Sequence, residues 1–189
     1  MSVKPRFDHY RERSAAGEVA YGLLDAIEFA AEKHHRRRRK DLGASLHIHH
    51  CLAVAGLLAY DGEDNLVVLK AAILHDILDA TRTKSSEVAS TFGREVGQLV
   101  LIAAGREHIP DWLTKRSAPG AEMLRQADLI KKAVATCRLG RMACQPPPDW
   151  SVRRVRAYFD RTKKAVDGLA PVGGPGLQWQ FEFAFARRP

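Results

Sequence analysis

The 189-residue sequence predicts an all-α fold, and three observations carry that reading. Apolar residues recur at three- and four-residue steps through most of the chain, the period of a helix with one buried face. The breaks between those segments, "DGED", "SAPG" and "QPPPD", are rich in residues that stop helices. One stretch alone, "LQWQFEFAF", alternates apolar and polar residues, which leaves a short hairpin, a C-terminal strand or a terminal helix as the options there.

The elements follow in order. Between Gly17 and Lys33, the residues Leu23, Leu24, Ile27, Ala30 and Ala31 mark an amphipathic helix that runs out into the basic "KHHRRRRKDLG". "HHCLAVAGLLAY", from His49 to Tyr60, is a second and mostly apolar helix. Asn65 is placed to cap a third, "LVVLKAAILHDIL", whose single charge in its first ten residues puts it deep in the core. "SSEVASTF" opens with a capping serine, and Gly93 separates it from "REVGQLVLIAAG". After the loop-rich stretch bracketed by Pro110 and "SAPG", "AEMLRQADLIKKAVATCRLG" regains helical period. "WSVRRVRAYFDRTKKAVDGL" is a strongly basic amphipathic helix beyond the proline break. No repeat is present, and the length suits one domain: an N-terminal extension (1–17), the domain (18–168) and a tail packing on it (169–189).

Composition narrows the function class. The net charge of +8 and the pI near 9.7 favour an anionic partner, which charge alone leaves open as a nucleic acid, a membrane surface or a phosphorylated small molecule. No apolar stretch approaches the roughly 20 residues that a spanning helix needs, so no membrane partner is expected. The first residues lack the apolar core of a secretory signal, and Cys51, Cys137 and Cys144 form neither a pair-wise framework nor a CxxC knuckle. These features point to a cytoplasmic protein with reduced thiols.

The chemistry concentrates in "LHDILDAT". His75 and Asp76 end a nine-residue run of low polarity, and burying a carboxylate is costly unless a cation or several donors compensate it. Neighbouring side chains on a helix point about 100° apart, so both can reach one ion only where the backbone turns away at the helix end. His50, at the head of another buried helix, can complete such a site.

In their order, "AIEFAAEKHHRRRRKD", "HIHHCLAVAGLL", "AAILHDIL", "VASTFGREVGQLV" and "SAPGAEMLRQADLI" make the chain resemble the HD-domain alarmone hydrolases. The resemblance is to the stand-alone small alarmone hydrolases, the group that includes the metazoan SpoT homologue, and it covers roughly residues 20 to 168. It implies an all-helical HD bundle holding one Mn²⁺ through two histidines and two aspartates. The donors also accept Fe²⁺, Co²⁺ or Zn²⁺. In this sequence those ligands fall on His50, His75, Asp76 and Asp128. Aligning "RLGRM" instead would put Cys137 at the last position, but Asp128 fits the distance from "SAPG" and keeps "WSVRRVRAYF" in register.

The resemblance also implies ppGpp 3′-pyrophosphohydrolase activity, or, for the metazoan homologue, removal of the 2′-phosphate of NADPH. It maps an Arg-Lys pair that holds base and phosphate onto Arg39 and Lys40, and a nucleotide-contacting aromatic onto Tyr158. Where the family has a Glu-Asp pair after the dyad, this chain has Asp79-Ala80, so Asp79 is the expected catalytic carboxylate and Ala80 contributes none. Lys132 stands where the family has Asn, and is expected to bring a cation to the substrate. His49 is a possible extra ligand. The rival expectations are a degenerate member that binds nucleotide or metal without turnover, and a basic helical module that binds nucleic acid.

Overall fold

A computed structural model describes residues 14–35, 46–105 and 119–189. Among these residues the regular elements are all helices: α1 (Ala15–His34), α2 (His47–Tyr60), α3 (Leu66–Leu74), α4 (Ile77–Ala80), α5 (Ser85–Phe92), α6 (Arg94–Ala103), α7 (Ala121–Cys144), α8 (Val152–Asp167) and α9 (Pro175–Ala186). None of them is long and apolar enough to cross a membrane.

Helix α3 is the hub. Val68, Leu69, Ala71, Ala72, Ile73 and Leu74 are all buried, because α1, α2, α6 and α7 pack around it. The Asn65 side chain caps it by accepting from the Val67 amide at 2.9 Å. Ser14 on α1 and Ser151 on α8 cap in the same way, but the serine expected to cap α5 does not: Ser85 is already the first helical residue, and the N-cap position is Lys84, with no side-chain cap bond. The crossing of α5 on α6 depends on a missing side chain, since a Cβ at Gly97 would meet the Ala89 Cβ at 2.8 Å. A second, smaller core joins Leu139 of α7 with Val155 and Phe159 of α8 and Phe181 and Ala184 of α9.

The structure alters three of the expected elements. The segment "LVVLKAAILHDIL" is not one helix: α3 stops at Leu74 and α4 restarts at Ile77. Helix α2 starts at His47, two residues before His49, and so carries a further histidine into the fold. The alternating "LQWQFEFAF" is neither strand nor hairpin but most of α9. Its aromatics occupy nearly every second position, which mimics a strand. The buried set is Leu177, Phe181 and Ala184, at helical steps of four and three, while Trp179 and Phe183 stack on each other outside at 5.2 Å.

The tail is held by two devices. Asp61 accepts from the Gly174 amide at 2.5 Å and the Leu177 amide at 2.7 Å, tying the head of α9 to the end of α2. Any Cβ at Gly174 or Gly176 would come within 2.9 Å or 2.8 Å of the Asp61 carboxylate, so both glycines are needed for this approach. On α7, the buried Lys132 ammonium donates to the Val172 carbonyl at 2.8 Å and to Gln178 Oε1 at 2.7 Å. Burial lowers its pKa, against the opposing pull of Asp61 and Glu182.

Candidate functional site

The break between α3 and α4 builds the centre of the site. His75 is still helical (φ −54°, ψ −32°), but Asp76 leaves the helix at φ −103°, ψ 1°. His75 is buried, and its Nδ1 donates to the Ala72 carbonyl at 2.8 Å. A carbonyl only accepts, so the proton sits on Nδ1 and the lone pair on Nε2. That Nε2 is buried with no hydrogen-bond partner. Burial also lowers the His75 pKa from 6.5 to about 4, keeping the ring neutral near pH 7. A neutral, oriented imidazole with a buried lone pair is the form that ligates a cation.

Asp76 is the N-cap residue of α4 but makes no side-chain cap bond. Its carboxylate turns instead to His47, whose Nε2 lies 2.5 Å from Oδ2. Burial works to raise the Asp76 pKa, but the hydrogen bond with His47 and the nearby positive charge outweigh it and hold the group at about 2. His50 is buried one turn after His47, with its ring 5.2 Å from that of His75 and nearly perpendicular to it. Two imidazoles and a carboxylate on two elements suit a hard or borderline divalent ion.

Asp128 is placed differently. Its oxygens accept from Lys131 Nζ and from the Ala170 amide, each at 3.2 Å, and it is absent from the lining of the adjoining cavity. It shares a face of α7 with Lys131 and Arg138, three and ten residues on.

That cavity, of about 480 Å³, opens beside His75 and Asp76. Asp79 lines the same wall. Across from it stand Lys131 and Arg138 of α7 and Tyr158, Arg161 and Thr162 of α8, with Val134, Ala135 and Val166 between them. A wall of two carboxylates faces three cations, the charge arrangement for a phosphate group bridged to a metal. Tyr158 is half-buried with an edge-on contact to Trp150 at 5.8 Å, whereas its neighbour Phe159 is fully buried in the second core.

Three expectations change here. Lys132 does not reach the cavity, because it lies about 100° round α7 from Lys131 and its ammonium is committed to Val172 and Gln178. His49 is exposed; the additional histidine beside the dyad is His47, which with His50, Cys51 and Val54 falls on the inner face of α2. Arg39 and Lys40 lie outside the described residues. The residues missed from sequence are His47, Lys131, Arg138 and Arg161. A helical stripe would have found three of them: Lys131, Val134, Ala135 and Arg138 on α7, and Tyr158, Arg161, Thr162 and Ala165 on α8.

Comparison with known proteins identifies the family. The family described as HD domain matches residues 26–141. The chain is 36% identical over 162 residues to the human guanosine-3′,5′-bis(diphosphate) 3′-pyrophosphohydrolase MESH1, covering 81% of this chain and 87% of that protein. The MESH1 protein of Drosophila melanogaster is 30% identical over 150 residues, 78% of this chain and 84% of its own. Among solved structures, a metazoan ortholog of SpoT that hydrolyses ppGpp superposes with a TM-score of 0.72 at 27% identity, covering 95% of this chain and 98% of that one.

Proposed function

The chain belongs to the HD-domain family, and from that premise we propose that it is a metal-dependent nucleotide phosphohydrolase whose substrate is ppGpp. The observation that carries the reading is the meeting of the buried, neutral His75 and the ionised Asp76 at the edge of a cavity walled by Lys131, Arg138 and Arg161. Relatives at this similarity carry the name of a ppGpp 3′-pyrophosphohydrolase over most of their length, which supports the same substrate here.

The proposed reaction cleaves the P–O bond at the 3′ oxygen: water adds to the phosphorus, and pyrophosphate and GDP leave. His50, His75 and Asp76 would hold Mn²⁺ or a similar ion. Asp128 is the fourth candidate, and its ion pair with Lys131 would have to open. Such an ion, when bound, supplies positive charge that polarises the phosphoryl group and acidifies water. Asp79 orients the attacking water and takes its proton. Arg138 and Arg161 bind the 3′-diphosphate, Arg through a planar fork that matches phosphate oxygens, and Tyr158 packs against the nucleoside. Ala80 offers no second carboxylate, so turnover rests on Asp79 and is slow.

A nucleotide suits the site better than a nucleic acid. Two of the four arginines of the basic α8 are engaged within the chain, Arg154 stacking on Trp150 at 4.2 Å and Arg156 donating to the Pro189 carbonyl, and a third, Arg161, faces the cavity. The three free cysteines suit a reducing, cytoplasmic setting.

The test is a panel of ppGpp, GTP and NADPH incubated with Mn²⁺, with product identity as the readout. Pyrophosphate from ppGpp is expected, and Asp79→Ala should lower its rate by roughly 10²- to 10⁴-fold. Tight nucleotide binding without product would establish a degenerate member instead, and a rate untouched by Asp79→Ala would remove Asp79 from the mechanism.

A further inference from the structure

A second group of metal-binding atoms lies next to the first and shares none of its residues. His34 is the last residue of α1; His47 and Cys51 sit one turn apart on the first turns of α2. One ring nitrogen from each histidine and the Cys51 sulfur all lie within 4.8 Å of one another. His34 is 2% exposed, Cys51 is fully buried, and the His34 and His47 rings stack at 4.7 Å.

We propose that His34, His47 and Cys51 form a separate site for a thiophilic divalent ion of the Zn²⁺ class. The chemistry of the donors separates it from the site at His50, His75 and Asp76. A thiolate is a soft ligand that selects Zn²⁺ and Co²⁺ over Mn²⁺ or Mg²⁺, while the neighbouring carboxylate-bearing set accepts the harder ions. The spacing of His47 and Cys51, four residues apart on one helix face, is the spacing that lets two side chains grip one ion. Zn–N and Zn–S bonds of about 2.1 and 2.3 Å in a tetrahedron place the donor atoms roughly 3.5 Å apart, so the cluster needs to close by about an ångström. His34 comes from a different helix and supplies the third direction, leaving a fourth position for water. The burial of His34 and Cys51, with His47 partly buried between them, strengthens each ion–ligand interaction. The His47–Asp76 hydrogen bond connects this site to its neighbour and orients the His47 ring, as an outer carboxylate does for a ligating histidine.

The experiment uses the full chain stripped of metal and titrated with Co²⁺, whose thiolate complexes absorb in the near ultraviolet by charge transfer from sulfur. The expected result is a charge-transfer band that saturates at one equivalent and is displaced by Zn²⁺. It should vanish in Cys51→Ser, weaken in His34→Ala, and persist in His75→Ala and in Cys137→Ser/Cys144→Ser. Zn²⁺ affinity of Cys51→Ser, measured against a chelator, should fall by more than the roughly 100-fold that loss of an outer-shell partner costs. Three results would each overturn the proposal: no sulfur band in the parent, a band lost from the Cys137/Cys144 double variant, or a band lost from His75→Ala. The last would assign the thiolate to the neighbouring site. The parent and the double variant keep the test decisive even if Cys51→Ser fails to fold, and none of these readouts depends on hydrolysis.

Discussion

Lys131 and Lys132 are neighbours in sequence and belong to different regions of the molecule. Lys131 stands at the cavity, paired with Asp128 at 3.2 Å and a third exposed. Lys132 is buried and ties the connection before α9 and α9 itself to α7. The same kind of group therefore lines the cavity on one face of α7 and docks the tail on the other, and the 100° between successive residues is the cause. Position along the chain does not separate these jobs; position around the helix does.

Acid should divide the two faces most strongly. On the cavity side, His75 has a folded pKa of about 4 against 6.5 unfolded, so between those values the unfolded chain binds the extra proton. Metal-free protein should therefore lose roughly 3 kcal/mol of stability as pH falls from about 6.5 to about 4. Asp76, held near 2, adds a further loss below its ordinary value of 3.8. Denaturant melts across this window check the claim, and His75→Gln should flatten the upper part of the fall.

Arg138→Met removes one of the cavity cations. It should reduce kcat/KM for ppGpp by roughly 10- to 100-fold, the value of a charge-assisted phosphate contact, with little change in Tm. Lys132→Met should do the reverse. Leaving the Val172 carbonyl and Gln178 without their donor costs about 1–3 kcal/mol in chemical denaturation, while kcat/KM per folded molecule stays near the parent value. The smallest effect is expected from Lys131→Met, whose partly exposed ion pair is worth at most about 1 kcal/mol and whose loss should change KM no more than about fivefold. Equal effects of Lys131→Met and Lys132→Met on KM would break the comparison.

The same geometry explains what could be read in the sequence. The helical order was legible because most helices carry their own apolar period and the breaks between them carry helix-stopping residues, with the Asn65 cap of α3 as the clearest local start signal. The His75–Asp76 pair was legible because an acid flush against "LVVLKAAIL" needs compensation. What failed was information that local pattern does not hold. The carboxylate of Asp76, at the break between α3 and α4, meets a partner, His47, that lies 29 residues back in the chain. The placing of Lys132 depends on a carbonyl 40 residues away, at Val172. The choice between strand and helix for α9 stayed open because aromatics at Trp179, Phe181, Phe183 and Phe185 satisfy periods of both two and four. His47 was missed because the predicted start of α2 fell two residues late.

The central claim is that the cavity beside His75 and Asp76 hydrolyses ppGpp with the help of a divalent ion. Its most direct test is the stoichiometry of ppGpp hydrolysis in Mn²⁺, with and without a chelator, in the parent and in His75→Ala. The account predicts one pyrophosphate and one GDP for each ppGpp consumed, abolished by chelation and by loss of His75. Intact ppGpp after incubation with the Mn²⁺-loaded parent, or hydrolysis that continues in the chelator, would contradict it.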